Sequence, residues 1–133
     1  MRWIVDGNNV MGSRPDGWWR DRPAAMGRLV SELVAFAQRT GDEVTVVFDG
    51  RPRALGEPGP VELAFASRAG RDAADDDIAA RARGDRDPVS LTVATSDAAL
   101  AARVRAAGAA VEGARAFVRR LDRAGMDAPP RST

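Results

Sequence analysis

The run Val44-Thr45-Val46-Val47-Phe48 does most to restrict what this chain can become. It is a continuous β-branched stretch, the pattern of a strand covered on both faces. Such a strand belongs to a parallel sheet with helices on either side. Trp3 to Val5 and Leu91 to Ala94 read as further strands of this kind, Val61 to Ala66 as a weaker one, and Ala109 to Val111 as a short fifth. Between them lie helical patterns. Met26, Leu29, Val30, Leu33, Val34 and Ala37 recur at three- and four-residue spacing, and Gly41 stands where a helix would close. Asp72 to about Arg83, Asp97 to Ala107 and Ala114 to Arg123 read as three more helices. Residues 11–23 and 51–60, rich in Gly, Pro and charge, read as loops. The expected class is α/β, one domain over residues 1–124 with a central, mainly parallel sheet of four to five strands flanked by helices. Residues 125–133 read as a disordered tail.

What is missing from the composition excludes several chemistries. The 133 residues contain no Cys, no His and no Lys, so all 20 basic residues are Arg. Disulfides, thiolate and imidazole metal sites, a His base and every Ser-His-Asp triad are ruled out. Gly7 to Gly12 has the spacing of a phosphate-binding loop, but Ser13 stands where that loop needs Lys. Haloacid-dehalogenase-like phosphatases also use a Lys, and no Gly-x-Gly-x-x-Gly dinucleotide fingerprint is present. With 20 basic against 19 acidic residues, any nucleic-acid footprint has to be local. No apolar run approaches a membrane span or a secretory signal, and the expected compartment is the cytoplasm.

Acidic residues carry the functional signal. Asp6 and Asp49 end apolar runs, Asp97 follows Thr95-Ser96, and Asp75-Asp76-Asp77 opens a helix. Each has a local explanation: Asp49-Gly50 as a turn, Asp72 with Asp75 as a helix cap, Ser96 and Asp97 as the cap of the next helix. Capping does not explain why separate loops from one sheet edge all supply Asp. Sites in open parallel sheets form outside the carboxyl ends of strands. Carboxylates gathered there raise one another's pKa unless a cation intervenes. Oxygen ligands select a hard ion, Mg²⁺ or Mn²⁺, which polarises a phosphoryl oxygen and activates water without a His base.

Asp6-Gly7-Asn8-Asn9-Val10, Phe48-Asp49-Gly50, Ala74-Asp75-Asp76-Asp77-Ile78 and Thr95-Ser96-Asp97, in this order, resemble the motifs of NYN domains, in particular the YacP-like branch of the PIN-like nuclease superfamily. The resemblance covers most of residues 1–123. It implies a PIN-like α/β domain, an acidic Mg²⁺ or Mn²⁺ site and ribonuclease activity on RNA, alone or within a larger RNA–protein assembly. By position it implies Asp6, Asn9, Asp49, Asp75 and Asp97 as catalytic residues, with Asp6, Asp75, Asp76 and Asp97 as metal ligands. Asn8 stands where many relatives carry an aromatic residue, a departure that falls on a substrate contact. Asn8, Ser96, Arg51 and Arg53 are candidate substrate contacts, the two arginines because they directly follow Asp49-Gly50. Arg14, Arg20, Arg22, Arg68 and Arg71 are further candidates. Trp18 and Trp19 cannot share one face of a helix or strand, so one is expected in the core and the other exposed, where it can stack a base. Two rival readings stay open. One is a non-catalytic RNA-binding or protein-interaction module on the same scaffold, the other a PIN-type toxin with a cognate antitoxin.

Overall fold

A computed structural model describes residues 1–70 and 72–126. Five strands form one sheet in the order β3-β2-β1-β4-β5: β1 Arg2–Asp6, β2 Glu43–Phe48, β3 Glu62–Phe65, β4 Leu91–Ala94 and β5 Ala110–Glu112. Every neighbouring pair is parallel. In register, Trp3 lies beside Val44 and Thr92, and Val5 beside Val46 and Ala94. All carboxyl ends therefore face the same way, and Asp6, Asp49 and Thr95 to Asp97 emerge at one edge.

The helices are α1 Gly7–Gly12, α2 Arg22–Thr40, α3 Ala73–Arg83, α4 Ala98–Ala106 and α5 Ala114–Met126, with single 3-10 turns at Trp18–Arg20 and Pro88–Ser90. Side chains alternate across the sheet as β geometry requires. Trp3, Val5, Val44, Val46 and Phe48 pack under α1, α2 and α5. Ile4, Val47, Leu91 and Val93 pack under α3 and α4. The first of these layers holds an aromatic triad, with ring centroids 4.9 Å apart for Trp3 and Phe117, 5.6 Å for Phe36 and Phe117 and 6.2 Å for Trp3 and Phe36. It locks α2 and α5 onto the central strand.

Gly41 closes α2 with φ +74° and its N–H on the Ala37 carbonyl, as its position predicts. Elsewhere the helices differ from the sequence expectation. Residues 11–23 are only partly loop. α1 runs to Gly12, and α2 begins at Arg22, where Asp21 accepts from the Ala24 N–H at 3.1 Å and Pro23 fits the first turn. α5 continues past Arg123 to Met126, so the first residues of the expected tail are helical. Residues 127–133, like Arg71, lie outside the described residues. Among the described residues no helix is long and apolar enough to cross a membrane.

Candidate active site

β1 is the switch point of the sheet, because the chain leaves it toward β2 on one side while β4 lies on the other. The crevice between the carboxyl ends of β1 and β4 is where such sheets place ligands. Asp6 stands on one side of it and Thr95-Ser96-Asp97 on the other.

Asp6 is 3% exposed. Its Oδ2 accepts from the Thr95 hydroxyl at 2.8 Å, and the Thr95 oxygen in turn accepts from the Asp97 N–H at 3.1 Å. Thr95, itself buried, thus ties the acid of β1 to the acid after β4. Burial raises the Asp6 pKa to about 6, and the charges of Asp75 and Asp49 add to the rise. The Thr95 hydroxyl opposes it. So does the Asn9 N–H, which favours the ionised form while falling short of a capping hydrogen bond. Asp75, at the start of α3, is also raised to about 6. Burial is the main cause, followed by the charges of Asp97, Asp72 and Asp49, with Arg103 pulling the other way. The acids from four separate segments thus act on one another as a single electrostatic cluster.

A lattice of loop-to-loop hydrogen bonds builds this edge. Asn8 Oδ1 accepts from the Asp49 N–H at 2.7 Å, and Asn9 Oδ1 from the Ser96 N–H at 2.8 Å. Ser96 Oγ accepts from the Ala114 N–H at 2.8 Å, which caps α5. Asp49 Oδ1 accepts from the Ala74 N–H at 3.0 Å, which caps α3, and Asp97 Oδ1 caps α4 through the Leu100 N–H at 2.9 Å. The short helix α1 brings both asparagines to their partners. Gly7 is required at its start, since a Cβ there would stand 2.6 Å from the Phe48 ring.

The expected residues therefore divide. Asp6, Asp49, Asp75 and Asp97 come to one edge. Asn8, Asn9 and Ser96 reach the same edge but use their side-chain oxygens to hold it together. Asp76 is turned elsewhere. It pairs with Arg103 at 2.8 Å and with Arg68, and these arginines, Arg103 foremost, hold its carboxyl below the usual range. Asp77 takes the Ser67 N–H at 2.7 Å and hydroxyl at 2.8 Å. The cause is helical geometry: consecutive residues project about 100° apart, so three adjacent acids cannot share a face. Asp76 is thereby separated from the ligand set the resemblance implied. Asp72 does not cap α3 with its side chain and instead sits at φ +62°, in the left-handed region. Arg51 and Arg53 are exposed in the loop after β2. Arg14 is held by Glu32 and Asp122. Arg20 and Arg22 lie over Trp19 and Trp18, each 5.8 Å from the ring centre. Trp18 packs against the core and Trp19 is 59% exposed, the division their adjacency requires. Thr95 had no role in the sequence reading, although a hydroxyl between a buried strand and a strand-end acid is a readable signal.

The donors are all hard oxygens, which suits Mg²⁺ or Mn²⁺. A cation beside them would favour the ionised forms of Asp6 and Asp75, which burial and neighbouring acids oppose. Among the described residues no group of three acids stands ready to hold an ion, and Asp49 and Asp97 each commit one oxygen to a helix cap. Each retains its second oxygen.

A three-layer α/β domain with an acidic cluster at the carboxyl edge of a five-stranded parallel sheet defines the class. The sequence places it further: residues 3–129 match the YacP-like NYN domain, and the chain belongs to that family, which is of nuclease type. No curated protein matches the chain. Its fold is similar to the crystal structure of Rae1 (YacP) from Bacillus subtilis, with a TM-score of 0.79, 24% identity, and coverage of 95% of this chain and 76% of that one. A tryptophan-to-leucine mutant of the same protein gives a TM-score of 0.75 at 24% identity, covering 94% of this chain and 77% of that one.

Proposed function

We infer that this chain is a ribonuclease that hydrolyses RNA phosphodiester bonds with the help of Mg²⁺ or Mn²⁺ at the acidic edge. The observation that carries the reading is the gathering of Asp6, Asp49, Asp75 and Asp97 from four segments at one edge of the sheet. Burial first, and then the charges of neighbouring acids, hold Asp6 and Asp75 at about 6, a perturbation that marks functional sites. Membership of a family of nuclease type supports the same reading.

Asp6, Asp75 and Asp97 are the residues that would hold the cation, directly or through water, after moving closer together than they stand. When bound, it supplies positive charge for a phosphoryl oxygen and lowers the pKa of coordinated water. The protein's own groups do the rest. Thr95 fixes the Asp6 carboxylate and, through the Asp97 N–H, the start of α4. Asp49 keeps an oxygen free beside its α3 cap to orient an attacking water. Asn8 and Asn9 hold the loops after β2 and β4 at fixed separation, so that the acids meet a scissile phosphate together.

The test is cleavage of single-stranded and structured RNA by the parent and by Asp97→Asn, each with Mg²⁺, with Mn²⁺ and with chelator. Asn keeps the oxygen that caps α4 while removing the charge. The parent is expected to cleave with the metals and stop with chelator, and the variant to stay folded and inactive. Cleavage by Asp97→Asn at the parental rate, or cleavage undiminished by chelator, would refute the reading.

A further inference from the structure

We propose that a groove beside the acidic edge carries the backbone of single-stranded RNA, with Arg115 and Arg119 of α5 as its phosphate grips. The proposal rests on the ribonuclease reading and names how that site holds its substrate. An acidic edge repels a phosphate backbone, so the attraction has to come from alongside it. Two cavities lie there. One, about 440 Å³, is lined by Asn8, Asn9, Ser96 and Gly113. The other, about 610 Å³, is lined by Arg14, Asp16, Val118, Arg119 and Asp122. They share Ser13 and Arg115, which makes one groove leading from the acidic edge along the flank of α5.

The charge available in this groove is positive. Its acids are already engaged, Asp122 by Arg14 at 3.3 Å and Asp16 by Arg28 at 3.9 Å. Among the described residues no carboxylate pairs with Arg115 or Arg119. These two are four residues apart, so they stand one above the other on one helix face, spaced to meet two phosphates of one strand. The groove also presents unused donors. Arg115 and Ala116 lie in the first turn of α5, where backbone N–H groups have no intrahelical acceptor. A positively charged groove that tracks a backbone is the usual way a single strand is held.

The experiment measures binding of a fluorescent single-stranded RNA to the full chain by anisotropy across a salt series, with chelator present so that nothing is cleaved. The parent is compared with Arg115→Ala/Arg119→Ala and with Arg39→Ala/Arg83→Ala. The latter loses the same charge at exposed positions near the far ends of α2 and α3. The groove variant is expected to bind about tenfold more weakly, and its slope of log affinity against log salt to fall by about 1.4, at about 0.7 per phosphate contact. The control is expected to stay within about twofold of the parent. Equal affinity and slope in groove variant and parent, an equal loss in the control, or a duplex bound as tightly as the single strand would overturn the proposal. A parent that binds through Arg115 and Arg119 yet cleaves nothing with Mg²⁺ or Mn²⁺ would leave the groove standing and remove the ribonuclease reading.

Discussion

Asp6→Asn should make the protein more stable while destroying its activity. Folding raises the Asp6 pKa from 3.8 to about 6, chiefly by burial. A carboxyl raised that far costs about 3 kcal/mol of stability once ionised. The sign follows from proton binding. Between pH 4 and 6 the folded state holds the proton more tightly than the unfolded state, so stability falls as pH rises through that window and then levels off. An asparagine at this position carries no charge at any of these pH values, and its oxygen still accepts from the Thr95 hydroxyl. Part of the gain is offset, because its amide nitrogen brings donors into a buried site. The expected net gain at pH 7.5 in chelator is about 1–3 kcal/mol, a rise of roughly 3 °C in melting temperature per kcal/mol for a domain of this size. The assay is thermal unfolding of parent and variant at pH 7.5, 6 and 4 in chelator, repeated with Mn²⁺. The difference should shrink steadily toward pH 4. Mn²⁺ should raise the melting temperature of the parent more than that of the variant, since an ion bound to the folded state stabilises it. A variant less stable than the parent at pH 7.5, or a difference independent of pH, would refute the electrostatic account of this edge.

Three further outcomes are expected. Gly7→Ala drives a methyl into the Phe48 ring and should cost about 1–3 kcal/mol in chemical denaturation, with activity lost further because the Asn8 and Asn9 contacts shift. Phe117→Ala empties the centre of the aromatic triad and should destabilise by about 3–5 kcal/mol in the same assay; a cost under about 1 kcal/mol would show that α5 is not anchored there. Asp75→Asn should abolish RNA cleavage while Asp76→Asn retains it, because Asp76 is already committed to Arg68 and Arg103; equal loss in both would return Asp76 to the ion site.

Much of the architecture was legible because it depends on local patterns. Val44 to Phe48 announces a strand covered on both faces, and Gly41 and Asp97 occupy cap positions that need only short-range chemistry. α1 was not legible. Two glycines and two asparagines in six residues make a poor helix by propensity, and it forms because Gly7 fits against Phe48 and Asn8 reaches the Asp49 N–H. The same blindness to distant partners misassigned the start of α3. The spacing of Asp72 and Asp75 predicts a local cap, yet Asp49, from the end of β2, takes the Ala74 N–H. At the site, the sequence shows which strand ends bear acids but not how a helix fans out three consecutive ones. That fan separates Asp75 from Asp76.

The sheet has short strands, β3 and β5, at its borders, with four and three residues. Only a few main-chain amides and carbonyls are left unpaired along either rim. A second polypeptide seeking to extend the ladder finds almost no template, and such blunt borders are a recognised defence against fibre-like stacking. Concentrated solutions of the domain are expected to resist self-association by strand addition.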